Sequence, residues 1–438
     1  MAFLDTVRNK IGSEHWAELE RVAEKEVARA MGMPLLDADK KENFYQQSLL
    51  LGELLGECDL FERAGLRILP TDVVNILFKC KLLRATNGER EYFQRSGGHS
   101  LFKTSGPLPS WSERSEPLDV LIDRYFNSLE KEIVERTLLT RVSSFSSVSS
   151  DSDPQGFFQR LFSALALPFV SFFDDDYHLV EKHKRFEPRL LSYDPAAATR
   201  FFTAPSLGYK ASGSRVYCFW HASILLRTFL NLLRIASYVY PGQRDFGRDV
   251  NMCAPTFPVF LGEHATGALQ WQEDAKESWA KIPDGCLFLS FGYRGLSNMW
   301  LDLRTFPRLE KFICNHKVIL NSLKNPWNPK NIMDIAPILD ILSSATQIPD
   351  LGAKVLLIYC CLEHLFVPVN AYTENKKYII GGMNALSPEL LPWFNNLYNL
   401  RCSYAHKGFV LRDDQTMILI AESMKNVMKL LVGKLSVS

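Results

Sequence analysis

Toward its C-terminus the chain reads Leu400-Arg401-Cys402-Ser403-Tyr404-Ala405-His406-Lys407-Gly408. An arginine and a histidine stand there with four residues between them, at the end of a stretch with helical apolar spacing. These two side chains suffice for phosphodiester chemistry. A guanidinium grips phosphate through paired N–H donors and holds its developing charge. An imidazole moves a proton near neutral pH. On an ideal helix, five positions turn a side chain through about 500°, leaving Arg401 and His406 roughly 140° apart. One straight helix does not aim both at one atom. Either the last turn unwinds at Gly408, or a symmetric dimer joins two helix ends into one cleft.

The elements that must position this pair lie in residues 330–438, which read as a helical bundle. Its first helix runs from about Met333 to Thr346. The second, Ala353 to Phe366, is apolar nearly all round and should be central. The third opens with Ser387 as N-cap, Pro388 in the first helical position and Glu389 after it. Trp393, Leu397, Leu400 and Tyr404 form its stripe, and Gly408 is placed to end it. The fourth, about Gln415 to Leu431, repeats Met417, Ile420, Met424, Val427 and Leu431 at helical spacing.

Arg401-x4-His406, at the end of the third helix of a short bundle, resembles the HEPN superfamily (higher eukaryotes and prokaryotes nucleotide-binding), which carries an Arg-x4–6-His motif. The segment Leu357-Ile358-Tyr359-Cys360-Cys361-Leu362-Glu363-His364-Leu365-Phe366 is similar to that family's apolar helix with a glutamate. The likeness covers residues 330–438 alone. It implies a metal-independent, cofactor-free endoribonuclease acting as a homodimer in bacterial toxin–antitoxin or anti-phage defence. The substrate 2′-hydroxyl would attack the adjacent phosphate, leaving a 2′,3′-cyclic phosphate and a 5′-hydroxyl. By this resemblance His406 is the general acid or base, and Arg401 holds the phosphate and its transition-state charge. Glu363 would orient one of them. Tyr404 and Lys407 would add stacking and phosphate contact with RNA. Cys402 stands where active members usually carry Asn, Asp or His. That departure supports an alternative expectation, a catalytically inactive dimerisation or adaptor subunit within a larger defence assembly.

The rest of the chain reads as mainly α, and α+β overall. Residues 1–142 suggest a helical N-terminal domain, with helices over 13–32, about Glu42 to Arg63, from Pro70 through Leu82, and Leu118 to Leu139. Residues 86–115, rich in Gly, Ser and Pro, look irregular. Residues 143–154 are Ser-rich and read as a linker. Residues 155–329 read as a mixed middle domain. Its expected strands are Pro168–Phe173, Val216–Trp220, Pro258–Gly262 and Cys286–Gly292, with a helix over Ser223–Tyr240. These two regions would sense a trigger, bind a regulatory protein or restrain the nuclease.

Composition excludes several classes. Lys plus Arg number 50 against 49 Asp plus Glu, a net charge of +1. Such a chain does not coat nucleic acid by bulk electrostatics, so RNA contact needs a local basic site. Nine scattered cysteines without CxxC spacing fit free thiols in a reducing cytosol. The chain shows no phosphate-loop, dinucleotide or nucleophile-elbow pattern. The N-terminus lacks a signal-peptide core, and the apolar run Val355–Leu362 is far too short for a membrane span. The expectation is a cytoplasmic protein with no membrane contact. Asp174-Asp175-Asp176-Tyr177-His178 reads as a solvated turn rather than a cation site. Glu181, Lys182, His183, Lys184, Arg185 and Arg189 read as a charged surface segment.

Overall fold

The computed structural model describes residues 3–30, 57–85, 115–141, 154–172, 206–240, 262–264, 306–325, 328, 335–368, 371, 373–410 and 413–437. Of the expected linker over 143–154, Pro154 opens a helix and residues 143–153 lie outside these, as do the Asp174–His178 cluster and the Glu181–Arg189 series. So do the irregular stretch 86–114, residues 42–56 and the expected strand Cys286–Gly292.

The protein is mainly helical. Helices α1 (Phe3–Ile11), α2 (Ser13–Ala30), α3 (Pro70–Ala85) and α4 (Leu118–Lys131) build the N-terminal part. Leu4, Val7, Leu19, Phe61, Val73, Leu77, Leu121 and Phe126 meet in one buried cluster. Helical spacing places these residues on the inward faces. The helix expected over Leu118–Leu139 ends at Lys131 instead. Strand β1 (Val134–Arg141) follows it. The run Ile133-Val134 and Thr137 favours extended chain, and a partner strand is at hand to pair with it.

That sheet contains β1, β2 (Phe169–Phe172), β3 (Ser206–Gly213) and β4 (Gly262–His264) in the order β2-β3-β1-β4. Every pairing is antiparallel, and β1 lies on β3 from Val134 opposite Gly213 to Arg141 opposite Ser206. Helix α5 (Pro154–Leu165) precedes β2, and α6 (Arg215–Val239) follows β3. The expected strand over Val216–Trp220 is the first turn and a half of α6. Ser214 decides this: its side chain accepts the Tyr217 N–H and caps the helix, which outweighs the short aromatic run.

Helix α6 is the axis of the larger core. It is long and apolar enough to span a membrane, yet 81% of its apolar window is buried inside the protein. Aromatic rings surround it. Phe158, Phe162 and Phe169 all lie within 6.3 Å of Phe229 by ring centroid. Phe157 stacks on Phe306 of α7 (Phe306–Asn315), which leads into α8 (Lys317–Ser322).

The C-terminal part contains α9 (Ala336–Gln347), α10 (Leu351–Phe366), α11 (Asn375–Leu386), a 3₁₀ turn (Pro388–Leu390), α12 (Leu391–Lys407) and α13 (Asp414–Val437). Helix α10 touches α9, α11, α12 and α13, which explains why it is apolar on every side. Helix α11 is additional to the four expected from spacing. The apolar core runs without interruption from α5 and α6 into α9, α10, α12 and α13.

Candidate functional site

Arg401 lies on α12, where Trp393, Phe394 and Leu397 anchor the helix in the core. Its guanidinium carbon sits 5.3 Å from the centre of the Tyr359 ring on α10. That contact joins a cation to a π face. Its Nε is buried without a hydrogen-bond partner. The residue as a whole is half-buried.

Tyr359 is the pivot of the cluster. Burial first, and the charge of Glu363 second, push its phenol up to about 12, while Arg401 opposes them. Glu363 lies one turn further along α10. Its Oε1 accepts the Asn375 side-chain N–H of α11 at 2.8 Å. Among the described residues Glu363 makes no ion pair with Arg401, although both charges act on Tyr359 and on the thiol of Cys360. Helix α11 also supplies Lys376, whose Nζ sits 4.0 Å from the centre of the Tyr398 ring. Cys402 hydrogen-bonds Tyr398 and pushes its phenol up. Glu374, just before α11, holds a left-handed backbone with φ of 64°. A non-glycine residue in that region costs of order 1–3 kcal/mol. The turn that delivers Asn375 and Lys376 is thus strained.

His406 is exposed in the last turn of α12, with Lys407 beside it. The helix stays regular through Lys407. Gly408 then takes the left-handed conformation, φ 74°, and its N–H closes on the Tyr404 carbonyl at 2.8 Å. Gly408 therefore ends the helix as its position suggests, but it does not unwind the turn that carries His406. The angular separation of an intact helix remains between Arg401 and His406.

Tyr404 is engaged in packing. Its ring covers Gly352 of α10 so closely that an added Cβ there would overlap it. Its hydroxyl bonds the Asp350 carboxylate, which pushes the phenol up. Asp350 also caps α10 through the Ala353 N–H at 2.6 Å. The residues that spacing singled out thus divide into two groups. Arg401 and Glu363 flank Tyr359. Tyr404, His406 and Lys407 occupy the far end of α12.

Three participants were not singled out from the sequence: Tyr359, Tyr398 and Lys376. The two tyrosines look like ordinary core positions along a helix. Lys376 belongs to α11, whose stripe Ile379-Ile380-Met383 was the available signal. Among the described residues no group of three or more His, Cys, Asp or Glu side chains could hold a metal. The chain matches no protein-family model, no curated protein and no solved structure.

Proposed function

We propose that the C-terminal helices form a HEPN-like, metal-independent endoribonuclease of a bacterial defence or toxin system, active as a homodimer. One observation carries the reading: Arg401 is propped on Tyr359 with a partnerless Nε, and an exposed histidine follows on the same unbroken helix. A guanidinium so held needs an oxyanion, and RNA phosphate provides one. Because α12 stays regular, Arg401 of one protomer acts with His406 of the other. His406 then takes or gives the proton of the 2′-hydroxyl or the leaving oxygen. Lys376 and Lys407 supply the local positive charge that the near-neutral chain lacks overall.

The test is incubation with total RNA and identification of fragment ends. Wild type leaves 2′,3′-cyclic phosphate and 5′-hydroxyl ends, with or without chelator. Arg401→Ala and His406→Ala each lower the rate by about a hundredfold or more. Mixing these two dead variants restores cleavage, because one of the two sites in a mixed dimer is then complete. Random mixing recovers about a quarter of wild-type activity. Failure of the mixture to recover, with both single variants dead, rules out the composite cleft.

A second reading is a catalytically silent dimerisation or adaptor module. Two observations favour it: Cys402 is tied to Tyr398, and Tyr404 is committed to packing on α10. Under this reading, wild type and both alanine variants are equally harmless when expressed.

A further inference from the structure

Helix α6 carries a polar stripe through the otherwise apolar core. Arg227, Asn231, Arg234 and Tyr238 recur every three to four residues and so share one face. That face meets α9 and α10. Arg227 holds Asp340 of α9 in a fork, its Nε 2.9 Å from Oδ1 and its Nη2 on Oδ2. Asn231 donates to the same Oδ1 at 2.8 Å. Asp340 is therefore fully engaged by these two residues.

Arg234 follows on the same stripe and is 5% exposed. Its Nη1 donates to Ser343 of α9 at 3.2 Å. Its Nε and Nη2 are buried with no hydrogen-bond partner. Those two atoms form the same edge through which Arg227 grips its carboxylate. One turn along, Tyr238 accepts a hydrogen bond from Lys354 of α10 at 3.2 Å, with the Lys354 Nζ 4.4 Å from the ring centre. Lys354 is wholly buried and adds a second cationic donor to the seam.

A buried guanidinium without a counter-charge costs several kcal/mol. Burial alone pulls the Arg234 guanidinium down to about 10. A hydrophobic side chain of similar size would avoid that cost, so the cation at this position calls for a partner. We propose that the seam between α6, α9 and α10 binds a small oxyanion of the phosphate class, gripped by the Nε–Nη2 edge of Arg234 and supported by Ser343 and Lys354. A tetrahedral dianion offers two oxygens to the fork and a third toward the lysine. The shared chemistry is a phosphate group, either inorganic or the terminal group of a nucleoside monophosphate. The site is separate from the Arg401 cluster and does not depend on the ribonuclease reading.

The test uses the full-length protein. Thermal unfolding is followed against inorganic phosphate, a nucleoside monophosphate, and chloride at matched ionic strength. Wild type rises with the logarithm of phosphate concentration above Kd, by about 3 °C at a hundredfold excess, and not with chloride. A larger rise with the nucleotide identifies the phosphomonoester as the ligand, and an equal or smaller one identifies free phosphate. Arg234→Met loses the response and is at least as stable as wild type in phosphate-free buffer. Arg234→Lys, which keeps the charge but not the fork, responds at least tenfold more weakly. If wild type responds to neither phosphate compound beyond chloride, or if both variants respond as wild type does, the proposal is overturned.

Discussion

The Arg401 guanidinium is positioned by an aromatic face rather than by a carboxylate. Glu363, the obvious acidic neighbour, gives its Oε1 to Asn375 instead. An ion pair would neutralise the cation and compete with phosphate. A ring holds the group in place and leaves its charge available. Tyr359→Phe should therefore keep RNA cleavage within about threefold of wild type. Tyr359→Leu, which fills similar space without a π face, should lower kcat/KM by about tenfold. Steady-state kinetics on a short RNA compare the two. Equal losses in both variants would place the role in the hydroxyl. The arginine–histidine spacing was legible in the chain, because a motif is a local property. The ring beneath the arginine was not, because that contact crosses between helices and depends on which faces of α10 and α12 meet.

Helix α10 explains how the elements reach their register. Asp350 fixes its start through the Ala353 N–H and also accepts the Tyr404 hydroxyl. The Tyr404 ring lies over Gly352, where any Cβ would collide. One end of the α10–α12 pair is thus locked by a single aromatic residue. Gly352→Ala should destabilise the protein by about 1–3 kcal/mol in urea unfolding, and Tyr404→Ala in the same chain should relieve part of that loss. Asp350→Ala should cost about 1 kcal/mol through the lost cap. At this scale the sequence was readable where an apolar run has a clear start or stop, as with Pro70 at α3, Pro368 after α10 and Gly408 after α12. The Ser387 cap expected for α12 is not made, because Pro388–Leu390 form a 3₁₀ turn and the α-helix begins at Leu391. It was unreadable for α11, where Asn375-Lys376-Lys377 and the pair Gly381-Gly382 obscure a short apolar stripe. Gly382 is small because the Phe366 ring of α10 packs against it, a requirement that no local pattern announces. The strand β1 was missed for a related reason: a helix is visible by itself, but a strand needs its partner.

Among the described residues of the whole molecule, two apolar cores are joined by a polar junction. Asp72 of α3 accepts the Leu69 N–H at 2.9 Å and the Ser214 hydroxyl at 2.7 Å. The Ser214 N–H in turn reaches the Arg67 carbonyl at 2.7 Å. Arg67 donates to the Tyr217 hydroxyl, which donates to Glu62. Burial pushes the Asp72 carboxyl from 3.8 up to about 6, with Glu132 adding to the rise and Lys79 opposing it. The native state therefore holds this proton more tightly than the unfolded chain does. Stability contributed at this position falls as pH rises from about 4 to 6 and is level above that. Asp72→Asn keeps the acceptor and removes the titration. Its stability relative to wild type should improve by roughly 2 kcal/mol between pH 4 and pH 7, read from paired denaturation curves. A constant difference across that range would show that Asp72 does not titrate there.

The packing of α6 against α9 and α13 also bears on shortened chains. Residues 330–438 alone would expose the faces of α9 and α13 that α6 covers. That fragment should melt without a cooperative transition, whereas the full chain should unfold cooperatively by calorimetry.

The same arrangement constrains the order of assembly on the ribosome. Helix α6 leaves the exit tunnel well before α13, which contributes to its cover. For roughly two hundred residues of synthesis, about 10–40 s at ordinary elongation rates, an apolar rod of membrane-spanning length has no finished shelter. A chain stopped before Asp414 lacks α13 and leaves that side of α6 uncovered, so it should bind an apolar-surface dye more strongly than the full chain.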